Sequence, residues 1–349
     1  MKKKLCTAIV ILLAAVSAGG CRKKEEIQKY SHVDYAMGTV TNTTLYGNSP
    51  NLDKTEQKMI EEMKQLETKQ LSWRKESSGV AELNRGSQKE VSLSDPLYTW
   101  LKKCLQIAKD SSGAADPAIG SLTRMWDFES DNPSAPDAEK ITALLDEGII
   151  NNAYQHVKLD DKKKTVKKNT SVKIDLGAFG KGIGTDQALK FLRKDKKVTG
   201  GMVALGGSIV VYGEKPDGED WTVGIQNPKG QQGETIGGVT VQSGTFISTS
   251  GDYEKYFVDK KTGKRYFHIL DEKTGYPAET DITSCTIVCD SGLVSDGLST
   301  ACFVLGPEKS RPLLKKYGAK AIFVDKKKNI YVSSGLEFRL TDDSYTVAE

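Results

Sequence analysis

The sequence has little that would suit a membrane-spanning or nucleic-acid-binding protein. Its N-terminal apolar run, Leu5 to Val16, has twelve residues, whereas a helix needs about 20 to cross a bilayer. The net charge of +4 includes three lysines among the first four residues, so the chain from Cys21 onward stays near +1. Nucleic-acid-binding domains normally carry a strong basic bias. We therefore expect that this run does not span a membrane and that nucleic acid is not a partner.

Cysteine and histidine lack the close pairing that a structural zinc site requires. Beyond the first 21 residues the cysteines are Cys104, Cys285, Cys289 and Cys302. Cys285 and Cys289 lie on one face of a predicted strand and are roughly 13 Å apart, too far apart to bridge each other. We expect buried free thiols, with a disulfide elsewhere in this set as the alternative.

The first 21 residues have the pattern of a lipoprotein signal peptide. A basic start and a short apolar run precede Ala18-Gly19-Gly20-Cys21, and small residues before a cysteine are typical of lipoprotein cleavage sites. We predict that residues 1–20 are removed, that Cys21 carries lipid, and that residues 21–32 form a tether before a domain at 33–349. The alternative is an ordinary signal peptide followed by a chance cysteine. Both interpretations predict a location outside the cytoplasm.

Helical and strand patterns are segregated along the chain, which predicts an α+β fold. Helices are expected at 51–70, 95–109, 137–147, 180–193, 291–303 and 307–317, and strands at 33–46, 155–175, 199–282 and 319–332. Asp95 is the predicted N-cap of the second helix, with Pro96 at its first position. The regular βα alternation of a doubly wound sheet is missing. We expect mixed sheets with flanking helices in a single large domain, with a division into two lobes left open.

A glycine-dense segment runs from Asp175 to Asp186, after a predicted strand at 171–174 and at the start of a predicted helix. Glycines allow close approach of a ligand, a helix N-terminus favours phosphate, and Lys181 adds a positive charge. The spacing matches neither the dinucleotide-binding fingerprint nor the Walker A motif. The segment is interpreted as a phosphate site or as a tight strand-to-helix turn.

A second cluster consists of Asp296, Ser299 and Thr300. In a helix these residues share one face, and one carboxylate with hydroxyls suits Mg²⁺. A solvated helical turn is the alternative. A third motif, 265–277, contains His268 at the end of a predicted strand, where a hydrogen-bonded core histidine is the alternative to a catalyst. His32 and His156 are expected to be structural or exposed.

The order of these motifs is more specific than any one of them. In chain order they are Met37-Gly38-Thr39, Ala115-Asp116-Pro117, 175–186, Gly206-Gly207, 248–251, 268–277 and 296–300. Together they resemble the FAD:protein FMN transferases (ApbE-type flavin transferases) of bacterial lipoproteins, over about residues 35–332. The resemblance implies that residues 33–349 form a flavin transferase domain.

The resemblance implies a role for each matching residue. Residues at or beside the flavin nucleotide would be Met37, Trp73, Ala115, Asp116, Pro117, Asp175, Lys181 and Ile269. The Mg²⁺ ligands would be the Ala178 carbonyl, Asp296 and Thr300. Some family members have a second carboxylate where this chain has Ser299, so Ser299 is a possible ligand and metal binding should be weaker. His268 is our choice for proton transfer.

The implied reaction is Mg²⁺-dependent transfer of FMN from FAD, the substrate, to a threonine or serine hydroxyl of an exported or membrane flavoprotein, releasing AMP. Two alternatives remain: an FAD pyrophosphatase that gives FMN and AMP, and a non-catalytic FAD-binding lipoprotein. Lipid on Cys21 would hold the protein on a bacterial membrane, at the periplasmic face where there are two membranes, and tethering would raise its effective concentration near acceptors.

Overall fold

The computed structural model describes residues 27–86 and 90–348. The predicted signal peptide (1–20), Cys21 and the tether up to residue 26 lie outside the described residues. The first strand begins at Gln28, so residues 28–32, expected to end the tether, instead belong to the sheet. This strand lies at the sheet edge and is mostly exposed. Its residues therefore do not alternate between apolar and polar, and the sequence lacks the pattern by which a strand is recognised. Within the described residues, no helix is both long and apolar enough to cross a membrane.

The fold is α+β, as predicted. Its helices are α1 (Leu52–Leu66), α2 (Gly79–Arg85), α3 (Asp95–Asp110), α4 (Gly120–Trp126), α5 (Ala138–Asp146), α6 (Gly180–Lys194) and α7 (Gly292–Tyr317). A π-helical turn, Glu67–Leu71, extends α1, and a 3₁₀ turn spans Ala153–His156.

The strands follow the order of the chain. They are β1 (Gln28–Ala36), β2 (Thr39–Gly47), β3 (Val91–Ser92), β4 (Val157–Asp160), β5 (Thr165–Lys168), β6 (Val198–Leu205), β7 (Ser208–Gly213), β8 (Trp221–Gln226), β9 (Thr235–Val241), β10 (Phe246–Gly251), β11 (Tyr256–Val258), β12 (Arg265–Phe267), β13 (Leu270–Asp271), β14 (Tyr276–Pro277), β15 (Ile282–Cys289), β16 (Lys320–Asp325), β17 (Asn329–Val332), β18 (Glu337–Leu340) and β19 (Thr346–Val347).

A nine-stranded sheet organises the molecule, in the order β1-β2-β6-β7-β10-β15-β16-β17-β19. Its pairs are antiparallel except β17 with β19. Alternate residues of a strand point to opposite faces, and the core follows this rule. Val210 packs with α1 and α6, whereas Val211 packs with the smaller sheet β18-β9-β8. Helices therefore cover one face of the large sheet, and three strands cover the other.

The predicted strand at 171–174 does not form, apart from one bridge between Lys173 and Ile119. The Asn84 side chain replaces a strand partner: its Oδ1 accepts from the Ile174 N–H (2.7 Å) and its Nδ2 donates to the Ile174 carbonyl (2.7 Å). The backbone is thus satisfied by a side chain, which a pattern of residues along one segment does not reveal.

Two helix boundaries also differ from the prediction. The N-cap of α3 is Ser94, whose hydroxyl accepts from the Leu97 N–H, so Asp95 and Pro96 lie inside the first turn. The two helices expected at 291–303 and 307–317 are halves of α7, which kinks at Gly306 (φ 75°, ψ 172°) just before Pro307. The four cysteines of the described domain are buried free thiols, as predicted.

Candidate functional site

A cavity of about 340 Å³, here called the central cavity, lies where the helical part of the chain meets the large sheet. It is lined by segments that are far apart in the sequence: the β1–β2 turn, the residues after the π-helical turn, 113–116, the start of α6, the end of β10 and the segment after β12. Predicted site residues that line it are Met37, Trp73, Ala115, Asp116, Asp175, Ala178, Lys181, His268, Ile269 and Thr300.

The glycine-dense segment forms the N-terminal end of α6 at the cavity wall. Asp175 is fixed before the helix, because its carboxylate accepts from the Thr123 hydroxyl (2.7 Å) and the Gly177 N–H (2.8 Å). Gly180 begins α6, and Lys181 in its first turn has a side chain that is 32% exposed. The positive end of the helix dipole and a mobile ammonium group therefore face the same space, an arrangement that favours a phosphate anion.

Pro117, predicted beside the nucleotide, is buried and does not line the cavity. Its carbonyl accepts from the Asp175 N–H (2.7 Å). Pro117 therefore acts on the site through the backbone, by tying the 115–117 segment to the loop that carries Asp175.

Asp296 lies in α7 directly beneath the start of α6 and is 2% exposed. One carboxylate oxygen accepts from the Gly182 N–H (2.9 Å) and the other from the Ser208 hydroxyl (3.0 Å), and the Lys181 Nζ is 3.6 Å away. The two helices touch at glycines: a Cβ on Gly182 would lie 2.0 Å from the Gly292 carbonyl oxygen. This contact holds the carboxylate at a fixed position relative to Lys181.

Hydroxyl groups extend the oxygen cluster from Asp296 to the cavity wall. The Ser250 Oγ lies 2.8 Å from the Ser299 Oγ and 3.3 Å from the Thr300 Oγ1. Thr300 and Ser250 line the cavity, whereas Ser299 is fully buried and donates to the Asp296 carbonyl (2.7 Å). The hydroxyl of Ser299, predicted as a possible ligand, is thus engaged inside the protein and supports Ser250.

These residues fit Mg²⁺ by their chemistry. Asp296, Thr300 and the Ala178 carbonyl offer the hard oxygen atoms that this ion prefers, and one carboxylate is a sufficient protein charge when substrate phosphates supply the rest. A different group, His32, Asp34 and Glu56, lies on β1 and α1 and also brings potential ligand atoms within 4.8 Å of one another. In that group His32 lies 3.4 Å from the Glu56 carboxylate, consistent with the structural or exposed position expected for it.

His268 follows β12, and its backbone N–H donates to the Lys255 carbonyl (3.0 Å). Its Nδ1 is enclosed and has no protein partner. Burial, reinforced by the positive charges of Lys181 and Lys255, lowers the pKa of His268 to about 3. The imidazole is therefore neutral at physiological pH and keeps a lone pair available.

Trp73 lines the cavity and has two guanidinium groups close to its ring. Arg74 lies 4.1 Å and Arg124 4.7 Å from the ring centroid. Cation–π contacts of this kind limit ring rotation. The ring is therefore a positioned aromatic surface at the cavity.

Several charged residues at the mouth of the cavity were missed by the sequence analysis. Arg74 pairs with Asp127 (2.5 Å) and with Glu129 (3.1 Å), and Lys255 pairs with Glu129. Glu254 also lines the cavity, and burial raises its pKa. These residues lie in loops, where charged residues are common on any protein surface. Their local sequence therefore does not indicate a functional site.

A second missed feature is the buried carboxyl pair of Asp116 and Glu272, which are 5% and 2% exposed. Burial raises the pKa of Asp116 to about 6, although its carboxylate accepts from the Ala118 and Tyr154 N–H groups (2.7 Å each), which favour the ionised form. Burial, and then the Asp116 charge, raise the pKa of Glu272, so that Glu272 holds a proton at neutral pH. Gly113, at φ 85°, makes room for this pair, since a Cβ there would lie 1.6 Å from the Glu272 Oε1.

A helix N-terminus, a lysine and a buried oxygen cluster at one cavity are the features that favour a phosphate-binding site. The family model that matches this chain, described as the ApbE family, covers residues 37–323. A curated relative from Klebsiella pneumoniae (strain 342), named FAD:protein FMN transferase, is 31% identical over 92% of this chain and 97% of its own. A relative of the same name from Treponema pallidum (strain Nichols) is 29% identical over 95% and 94%.

Solved structures agree. The crystal structure of the ApbE protein from Thermotoga maritima msb8 superposes with a TM-score of 0.79 at 32% identity, covering 88% of this chain and 97% of that chain. The apo form of the flavinyl transferase ApbE from Pseudomonas stutzeri gives 0.71 at 26%, covering 91% and 96%. The chain belongs to the ApbE family of flavin transferases, which confirms the family predicted from the ordered motifs.

Proposed function

We propose that this protein is an Mg²⁺-dependent FAD:protein FMN transferase that moves FMN from FAD to a threonine or serine hydroxyl of an exported or membrane flavoprotein and releases AMP. One observation carries the proposal: the start of α6, Lys181 and the Asp296–Thr300 oxygen cluster converge on one cavity. A pyrophosphate needs that combination of donors and hard oxygen ligands.

The reaction balances without an oxidant or reductant. The acceptor hydroxyl oxygen attacks the phosphorus of the FMN half, the bond from that phosphorus to the bridging oxygen breaks, and AMP leaves with the bridging oxygen. In this scheme Lys181 and the α6 N-terminus stabilise the charge that develops on the phosphate oxygens. Asp296, Thr300 and the Ala178 carbonyl would hold Mg²⁺, which when bound supplies further charge neutralisation.

His268 would take the proton of the acceptor hydroxyl. Its neutral state and unpartnered Nδ1 leave a lone pair free. The negative charge of a bound pyrophosphate would raise the pKa of His268 and make it a better base in the substrate complex than in the free protein.

Met37 and Trp73 would hold the flavin nucleotide. Met37 lies in the β1–β2 turn at φ 53°, and Gly184 of α6 accommodates its side chain, because a Cβ there would lie 2.5 Å from the Met37 Sδ. Trp73 offers an aromatic ring that Arg74 and Arg124 hold in place. Met37 and Trp73 would hold the flavin nucleotide, while Lys181 and the start of α6 would hold the phosphates. Together they would position FAD for attack, and positioning is the main requirement of such a transfer.

The proposal includes location outside the cytoplasm, with lipid on Cys21 holding the enzyme at a bacterial membrane, on the periplasmic side where there are two membranes. Support comes from the sequence pattern of residues 1–21. Lipidation would be tested by labelling cells with a fatty-acid probe and comparing wild type with Cys21→Ser. Incorporation in the wild type alone is expected, and label retained in the variant would contradict it.

The activity is tested by incubating the mature protein with FAD and Mg²⁺, with and without a threonine-bearing domain of an exported flavoprotein. We expect flavin bound covalently to the acceptor together with one AMP per flavin. AMP release that is unaffected by the acceptor, with no labelled acceptor, would favour the FAD pyrophosphatase. Bound FAD with neither product would favour the non-catalytic FAD-binding lipoprotein.

A further inference from the structure

A second concave surface, here called the lysine groove, lies away from the central cavity and has about 650 Å³ of open space. It is formed by the start of α1, the end of α6 and the loops beside them. Its positive residues are Lys54, Lys58, Lys190, Lys194 and Lys197, and its carboxylates are Glu62 and Asp195.

The groove has five lysines and only two carboxylates. All five lysines are exposed, and among the residues that the structure describes none of them forms an ion pair. The Asp195 carboxylate is occupied by the Thr55 hydroxyl (2.8 Å) and the Lys197 N–H (3.0 Å). The groove therefore presents a net positive field to solvent.

The groove lies at the end of the molecule where the N-terminal segment enters the fold. Gln28 pairs with Gly47 at the open end of the β1–β2 hairpin, and the Asn48 N–H that follows donates to the Lys197 carbonyl (3.0 Å). Six residues lie between Cys21 and Gln28, a connection that reaches at most about 25 Å when extended.

Three elements connect this end to the central cavity. The hairpin turn, Met37–Thr39, and the start of α6 line the cavity, whereas the open end of the hairpin and the end of α6 lie at the groove. The helix α1 runs in the opposite direction and lines the groove from Lys54 to Glu62. On α6, Lys181 at the cavity and Gln187 in the groove are six residues apart, about 9 Å of helix rise.

We propose that the lysine groove binds an anionic lipid surface and fixes the orientation of the enzyme on the membrane. The inference rests on the proposed lipid anchor at Cys21, which would bring this side of the protein to a bilayer. Lipid alone gives marginal membrane binding, and a basic patch is a second signal that makes anchoring stable. A fixed orientation would present the mouth of the central cavity to membrane-bound acceptors in one direction.

The first test measures cosedimentation of unlipidated mature protein (Cys21→Ser) with vesicles of phosphatidylcholine alone or mixed with phosphatidylglycerol. We expect binding to the anionic vesicles alone, weakened by salt. The variant Lys54→Gln/Lys190→Gln/Lys194→Gln should lose on the order of a hundredfold in partitioning, since each lysine contributes about fivefold.

The matched control is Lys158→Gln/Lys162→Gln/Lys167→Gln, which removes the same charge from exposed lysines around β4 and β5. It should bind almost like the unlipidated parent. Equal losses in both variants, or absence of binding to anionic vesicles by the parent, would overturn the proposal. Either result leaves FMN transfer and lipidation of Cys21 untouched, since neither is measured here.

The second test measures orientation with an environment-sensitive dye on an introduced cysteine. Asn51→Cys lies in the groove, and Asn132→Cys lies three residues from Glu129 at the cavity mouth; both positions are exposed. Anionic vesicles should shift the emission at residue 51 and leave residue 132 unchanged. An equal shift at both positions, or a shift at residue 132 alone, would contradict binding through the lysine groove.

Discussion

The Asp296→Ala variant should be clearly less stable than wild type, whereas the Asp296→Asn variant should keep most of the wild-type stability. The alanine variant leaves the Gly182 N–H and the Ser208 hydroxyl without acceptors in a buried place. A buried donor without a partner costs about 1–3 kcal/mol. The two together should lower the free energy of unfolding by about 2–6 kcal/mol.

Asparagine can keep both hydrogen bonds, because its amide oxygen accepts from the Gly182 N–H and its amide nitrogen donates to a rotated Ser208 hydroxyl. The expected loss is about 1 kcal/mol, the difference between a charged and a neutral hydrogen bond. Urea unfolding followed by tryptophan fluorescence measures both variants. Equal stability of the two variants would refute the claim that Asp296 is held by these two donors.

Three further predictions test other parts of the site. Trp73→Leu should weaken FAD binding about tenfold by loss of aromatic stacking, measured by equilibrium dialysis, and unchanged affinity would remove Trp73 from the nucleotide site. The Asp186→Ala variant should lose about 2–4 kcal/mol of stability. In the wild type the Asp186 carboxylate accepts from the Gly292 and Leu293 N–H groups at the start of α7 (2.8 and 2.9 Å). A measured loss below about 1 kcal/mol would contradict this role. The Glu272→Gln variant should gain stability relative to wild type as pH rises from about 5 to about 9. The reason is the raised pKa of Glu272: over this range the folded wild type keeps a proton that the unfolded chain has lost, so the wild type loses stability. Denaturant midpoints measured across the range check this, and parallel curves for the two proteins would show that the pKa of Glu272 is not raised.

Much of the fold could be predicted because its signals are local. The periodicity of α1, the glycine-dense entry to α6 and the chain order of the motifs all lie in short stretches of sequence. Ten of the predicted site residues line one cavity, whereas Pro117, Asp296 and Ser299 are buried and do not line it; the roles of all of them stay predictions. Met37, His268 and Thr300 meet at one cavity from three distant segments.

The parts that were missed depend on partners far away in the chain. Strand β18 lies on β9, about a hundred residues earlier, and its short alternation was not recognised as a strand. Asn84 replaces a strand next to Ile174, and Glu272 meets Asp116 across the fold. Such pairs are created by tertiary structure, so a single sequence does not contain them as a pattern.

The central cavity lies at the closed end of the β1–β2 hairpin, and the lysine groove runs from its open end along α1 and α6. Because α1 and α6 pack into the same buried core, the orientation of the cavity relative to a bound membrane would be fixed by the fold rather than by a flexible linker.

The central claim is that Asp296 makes the central cavity a metal-dependent site for FMN transfer. The most direct measurement is the mass of a threonine-bearing acceptor domain after incubation with FAD and either wild type or Asp296→Asn, each with Mg²⁺ or with EDTA. Of the four conditions, we predict substantial labelling of the acceptor only for wild type with Mg²⁺. The transfer rate of the variant with Mg²⁺ should be at least about a hundredfold lower, as expected for loss of one charge-stabilising group. The variant should still bind FAD and should lose only about 1 kcal/mol of stability. Transfer by the variant at the wild-type rate, or transfer unaffected by EDTA, would contradict the account.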